Sequence, residues 1–174
     1  MSDHMALVGA LSLRFNYTNS FFGQFPHLNL LDVPDDLRGQ FGFVVCSDVL
    51  EHVPNPVDAA LGGLHSLLAP HGFAVVSVPV HVGETREFYP GLVSWEEDNG
   101  TVRWWGPGGV EQIDENPEYH GGVGQTLAFR LWGVTDFAAR LRQAGMTSVV
   151  GMEFNSSLGV PEIENNGVFL CHAS

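Results

Sequence analysis

Apolar positions change period several times along the chain, and each change predicts an element. Within residues 3–13, Leu7, Ala10 and Leu11 share one side of a short helix. FNYTNSFF (15–22) reads as a short, aromatic-rich strand or edge element, and LNLLDV (28–33) runs into the turn PDDLRGQ, punctuated by proline and glycine. FGFVVCS (41–47) is a continuous apolar run, the pattern of a strand buried on both faces. Asn55 and Pro56 then make a helix start, an N-cap followed by proline at the first helical position. Val57, Ala60, Leu61, Leu64 and Leu68 recur at helical spacing, APHG (69–72) stops the helix, and FAVVSVPV (73–80) is a second buried strand. Strand, helix and strand with short connections make a right-handed crossover in a parallel sheet, so the expected fold is α/β.

From residue 80 to 124 the periodicity gives way to glycine, proline, tryptophan and acids, which predicts an irregular insertion or lid within a single domain spanning 1–174. GGVG (121–124) follows no strand and precedes no helix, so it reads as a flexible turn. Order returns at LAFRLWG, and Thr135 is expected to cap a helix with Phe137, Leu141 and Ala144 on one face, closed by Gly145. TSVVGMEF and GVFLCHA are two late strands.

Composition narrows the function classes. A length of 174 residues suits one domain with its own core. Every apolar run is strand-sized, so no segment is expected to span a bilayer, and the first ten residues lack a basic signal region. Cys46 and Cys171 have neither zinc spacing nor disulfide density, which points to buried thiols in a reducing cytoplasm. The net charge is −13 and all seven basic residues are arginines, which excludes Schiff-base lysine chemistry and a lysine-dependent phosphate loop. The acidic field also argues against nucleic-acid binding. Nine of the acids fall between Glu84 and Glu118, opposed only by Arg86 and Arg103, and read as a solvated, loop-rich face.

In open α/β sheets, ligands bind outside the carboxyl ends of the strands. Ser47 ends the strand at 41–47, Asp48, Glu51 and His52 follow it, and His81 ends the next strand on the same edge.

The stretch FGFVVCSDVLEHVPNPVDAALGGLHSLLAPHGFAVVSVPV resembles the second half of a class I S-adenosylmethionine-dependent methyltransferase: a strand, an acid-x-x-Glu-His turn, a helix, a Lys-Pro-Gly-Gly type stop and a strand. FRLWGVTDFAARLRQAGM resembles the same family's YG-x-x-D helix, so the likeness spans about residues 30–150. It implies a Rossmann-like, mostly parallel sheet whose last strand is antiparallel, with S-adenosylmethionine as cofactor and a small molecule or glycan as acceptor, in a bacterial cytoplasm. Gly42 replaces the Asp that usually opens the fourth strand, and Ala69-Pro70-His71-Gly72 replaces Lys-Pro-Gly-Gly. MSD at the start resembles the end of the family's glycine-rich first loop, Gly-x-Gly-Met-Ser-Asp, so the first strand is expected to be missing and the chain truncated. Two functions stay open on that basis: a methyltransferase whose cofactor site is incomplete in this chain, or a non-catalytic methyltransferase-like module that serves in binding or assembly. Weak cofactor binding is expected, and unpaired strand edges predict a homodimer or a marginally stable monomer.

The resemblance also implies roles for single residues. Asp48 and Ser47 would stand beside the cofactor, although Asp48 also reads as a cap on its turn. Asp32 matches a third-strand position that approaches the adenine ring. Asn19 stands where a ribose-binding acid is usual and its amide could contact a hydroxyl, while on its own pattern it reads as a turn residue. Glu51 and His52 either brace their turn by hydrogen bonds or take part in the chemistry. Asp48, Glu51 and His52 match the local spacing of a magnesium site found in some sugar and catechol methyltransferases, with His120 or His81 as the distant partner. Methyl transfer is an in-line displacement dominated by positioning. A hydroxyl acceptor also needs a base, for which His52, His81 and His120 are the candidates. Trp104, Trp105 and Trp132 read as core.

Overall fold

The computed structural model describes residues 5–120, 126–152 and 166–173. The MSD segment and the GGVG turn lie outside the described residues. Helix α1 covers Met5–Ser12. Among the described residues no strand precedes Phe41; the strand expected over 15–22 does not form, and a single bridge joins Phe21 to His27. Phe15 and Phe22 are exposed there, and the Phe15 ring meets Phe43 edge to face at 4.8 Å without a ladder forming between the two segments.

The expected crossover is present. Strand β1 (Phe41–Ser47) leads through a turn to α2 (Val57–Leu67), and β2 (Leu68–His81) returns parallel to β1 in a register running from Phe43 opposite Phe73 to Ser47 opposite Ser77. The APHG segment stops the helix by bulging inside β2. The register slips between Phe41↔Leu68 and Phe43↔Phe73, and His71 takes φ 62. Asn55 does not cap α2: Pro56 holds the N-cap position, with no side-chain cap. Asn55 is instead drawn to Arg130, whose Nη2 donates to its Oδ1 at 3.3 Å. Val57, Ala60, Leu61, Leu64 and Leu67 of α2 are buried in the main core with Ala74, Val76 and Val78 of β2. Gly63 lets the backbone of Leu30 rest on this helix, because a Cβ there would lie 1.9 Å from the Leu30 carbonyl oxygen.

Residues 86–120 and 126–127 hold short strands where irregular structure is expected: β3 (Arg86–Glu87), β4 (Ser94–Asp98), β5 (Thr101–Trp105), β6 (Glu111–Asp114), β7 (Tyr119–His120) and β8 (Thr126–Leu127). Strands β4, β5 and β6 form an antiparallel meander. Tyr89, Val102, Trp104, Leu127 and Phe129 make a second core beneath it. Its acids are solvated as expected, with all of β4 and most of β6 exposed. The period-2 signal is faint because one face is charged and the other is aromatic rather than aliphatic.

The chain re-enters the main sheet as β9 (Arg130–Gly133), followed by α3 (Val134–Gln143), β10 (Ser148–Met152) and β11 (Asn166–His172). Thr135 lies inside α3, whose N-cap is Gly133 without a side-chain cap, while Gly145 closes the helix at φ 108 as expected. The sheet order is β10-β11-β2-β9-β3, with β1 on the other side of β2. Strand β10 opposes β11, which opposes β2, so β1, β2, β9 and β10 share one direction. The late β11 runs against them, which is the mostly parallel, Rossmann-like sheet anticipated above. Among the described residues, no helix is long and apolar enough to cross a membrane.

Candidate functional site

Strand β1 ends at Ser47, and the chain turns at once. Asp48 takes φ 49, a left-handed conformation that aspartate tolerates better than most residues, and its N–H donates to the Ser77 carbonyl of β2 at 2.9 Å. A short 3-10 turn, Leu50–His52, follows with Leu50 and Glu51 fully buried. The segment before and within β9 clamps this turn. The Phe129 N–H donates to the Glu51 carbonyl at 2.8 Å. Arg130, with no exposed side-chain surface, donates from Nη1 to the carbonyls of Leu50 (3.0 Å) and Val53 and from Nε to Glu87 (2.9 Å). Its guanidinium also lies over the Trp132 ring, 5.3 Å from the centroid.

The clamp brings three titratable side chains together. Oε1 of Glu51 lies 3.3 Å from Nδ1 of His120 and 3.7 Å from Nε2 of His52. The two imidazoles meet edge to face at 4.8 Å between centroids. His52 Nδ1 lies 2.8 Å from the Leu127 carbonyl oxygen, which accepts only, so Nδ1 carries the hydrogen. Neither Glu51 carboxyl oxygen receives a well-aligned hydrogen bond from any other described residue. Burial pushes the Glu51 carboxyl up to about 8 and pulls the His52 imidazole below its ordinary value.

Beside this trio opens a cavity of about 490 Å³. Its walls include Leu28–Leu31 on one side, Asp48, Val49, His52 and Val53 from the turn, and Trp95, Thr126 and Phe129 from the meander side. Largely apolar walls with a few convergent polar groups, in a space of this size, are the ordinary form of a small-molecule site.

The profile of the methyltransferase domain family matches residues 9–149, most of the chain. The chain belongs to that family. None of the curated proteins shows significant similarity to it. Among solved structures, Burkholderia thailandensis 1,6-didemethyltoxoflavin-N1-methyltransferase, with bound 1,6-didemethyltoxoflavin and S-adenosylhomocysteine, is similar at TM-score 0.50 and 17% identity, over 84% of this chain and 49% of that one. The CurJ carbon methyltransferase is similar at TM-score 0.50 and 14% identity, over 85% of this chain and 34% of that one. An O-methyltransferase family protein from Burkholderia thailandensis gives TM-score 0.50 and 16% identity, over 85% and 35%. This chain thus spans half or less of those lengths, and the likeness is one of fold.

Within this methyltransferase domain the expected site residues separate into groups. Asp48 lines the cavity, with its Oδ1 3.5 Å from both Ser77 Oγ and Asn166 Nδ2. His52 lines it too, and His120 joins His52 through Glu51. Ser47 lies in register with Ser77 at the end of β1. Asp32 is exposed beside the cavity-lining Leu31, and Asn19 is half-buried; neither is among the lining residues. His81 pairs in register with Gly133, places Nδ1 3.0 Å from the Val82 carbonyl, and joins neither the cavity nor the trio.

Two expectations change. The metal-ligating geometry groups Glu51 and His52 with His120 rather than with Asp48, and a set of two imidazoles and one carboxylate does not suit magnesium, which takes oxygen ligands. Bracing of the turn belongs to Arg130, the Phe129 N–H and, as expected, the His52 bond to the Leu127 carbonyl, but not to the Glu51 side chain. An arginine inside the apolar run LAFRLWG was the available signal for that brace, since a charged residue in such a run must be paired when buried. Trp95 and Phe129 of the cavity wall, 5.2 Å apart and edge to face, carried no comparable signal.

Proposed function

We propose that this domain takes part in S-adenosylmethionine-dependent methyl transfer to a small-molecule or glycan acceptor held in the cavity at the carboxyl end of β1. The observation that carries this reading is the cavity itself: it opens at the turn after a parallel strand, where α/β sheets bind ligands, in a chain of the methyltransferase domain family. The residues present fit one side of the cofactor. Leu30, Val49 and Val53 offer apolar surface for a flat ring, and the Asp48 carboxylate accepts hydrogen bonds from a ligand donor. When bound, the cofactor supplies the methyl group as a sulfonium electrophile. Asp48 is assigned to the cofactor side. His52, which lines the cavity, is assigned to the acceptor side. Trp95 and Phe129 supply the aromatic wall against which the acceptor is held.

Calorimetric titration of the full chain with S-adenosylhomocysteine tests the reading. Weak binding that falls at least about tenfold in Asp48→Ala, equivalent to the loss of one charge-assisted hydrogen bond, is the expected result. Binding unaffected by that substitution would overturn the assignment of the cavity. No binding at millimolar ligand would favour the alternative, a non-catalytic module of the same family.

A further inference from the structure

We propose that Glu51, His52 and His120 form a binding site for one zinc(II) ion, with a fourth coordination position left open. This goes beyond methyl transfer and does not depend on it, because the site is defined by its own donors.

The Glu51 side chain is completely buried, yet neither of its oxygens receives a hydrogen bond from any other described residue. A buried carboxyl in that condition is unfavourable unless a proton or a cation satisfies it. The nearest full cation does not do so: Arg130 directs its N–H groups to Glu87, Asn55 and the carbonyls of Leu50 and Val53. What faces the carboxyl instead is a pair of imidazole nitrogens. His52 Nδ1 bears the hydrogen it gives to the Leu127 carbonyl, so Nε2 presents a lone pair toward Oε1 at 3.7 Å. A lone pair facing a carboxyl oxygen calls for a proton or a cation between them. A metal-ligating histidine characteristically donates its other ring hydrogen to a backbone carbonyl, which is the bond His52 already makes.

The distances come close to those an ion needs. With zinc bonds of about 2.0–2.1 Å, tetrahedral donors are about 3.3–3.4 Å apart. Oε1 lies 3.3 Å from His120 Nδ1 and 3.7 Å from His52 Nε2, and the three donors all fall within 4.8 Å of one another. His120, on the two-residue β7 and with 33% of its side chain exposed, has room to turn and close the remaining gap. Two imidazoles and one carboxylate with one position open is a zinc(II) donor set. Its two nitrogens disfavour magnesium and calcium, which demand oxygen.

The test uses the full chain, stripped with chelator and titrated with zinc chloride. Bound metal is counted by elemental analysis after gel filtration. One zinc per chain is expected, with a raised melting temperature and no response to the same concentration of magnesium chloride. His120→Ala should weaken zinc binding by more than about 100-fold, exceeding the loss that removal of an outer-shell partner causes. His120→Cys should retain binding and, loaded with cobalt(II), show a thiolate charge-transfer band that locates the ion at this position. Circular dichroism of both variants establishes that they fold, and the cysteine variant reports on the site even where the alanine variant does not. Absence of stoichiometric zinc in the parent chain, equal affinity in His120→Ala, or an equal response to magnesium would overturn the proposal. Because the readouts are metal content and spectra, their failure leaves the S-adenosylhomocysteine titration independent.

Discussion

Arg130 reaches across eighty positions of sequence to donate a hydrogen bond to the Leu50 carbonyl, entirely within the protein interior. One side chain thereby fixes the turn that presents Asp48 and His52 to the cavity. Removing it would leave the Leu50 and Val53 carbonyls buried without this donor and Glu87 without its partner. Arg130→Ala is therefore expected to destabilise the fold by about 3–5 kcal/mol, measured by urea unfolding. Arg130→Lys should recover only part of that, since an ammonium cannot reproduce the fork. A loss below about 1 kcal/mol in Arg130→Ala would show that the turn holds itself.

The buried carboxyl of Glu51 gives stability a defined pH dependence. Burial raises it from 4.5 to about 8, so the folded chain holds a proton that the unfolded chain releases. That contribution is fully present below about pH 4.5 and is lost as pH rises through about 8. His52 acts in the opposite sense: burial lowers its value from 6.5, so its contribution is lost on acidification below that value. In metal-free protein, the melting temperature of the parent relative to Glu51→Gln should fall from about pH 6 to about pH 9. A difference that stays constant over that range would contradict the assignment.

Adjacent glycines in α2 should respond in opposite directions. A Cβ at Gly63 would meet the Leu30 carbonyl oxygen at 1.9 Å, whereas at Gly62 nothing lies within 4 Å. Gly63→Ala should destabilise by about 1–3 kcal/mol and displace the Leu28–Leu31 wall of the cavity. Gly62→Ala should stabilise by up to about 1 kcal/mol through helix propensity. Thermal melts of the two variants side by side decide the matter, and equal effects would refute the close approach of Leu30 to the helix.

Two tryptophans of the meander separate structure from binding. Trp104 is 5% exposed and packs edge to face on Tyr89, so Trp104→Ala should destabilise by about 3–5 kcal/mol. Trp95 is 42% exposed and lines the cavity, so Trp95→Ala should weaken ligand binding more than it lowers the melting temperature. Calorimetry and melts on both variants test the division, and a reversed pattern would count against it.

Elements whose signal is local were legible in the sequence. The apolar runs of β1 and β2, the helical period of α2 and the glycine that closes α3 all act within a few residues, and the DVLEHV turn is recognisable as a string. They determined the α/β crossover, the family resemblance, and the place of Asp48 and His52 at the end of a strand. Only the tertiary structure decided the rest. Asn55 looks like a helix cap, but a guanidinium 75 positions away holds its side chain. The same packing joins His120 to Glu51 and leaves His81 aside. No local pattern encodes such pairings, because they depend on which distant backbone comes to rest against the turn. Nor could spacing reveal that the Glu51 carboxyl is sealed from water beside two imidazoles: burial is a property of the packed chain, and it gives an ordinary glutamate its altered proton affinity.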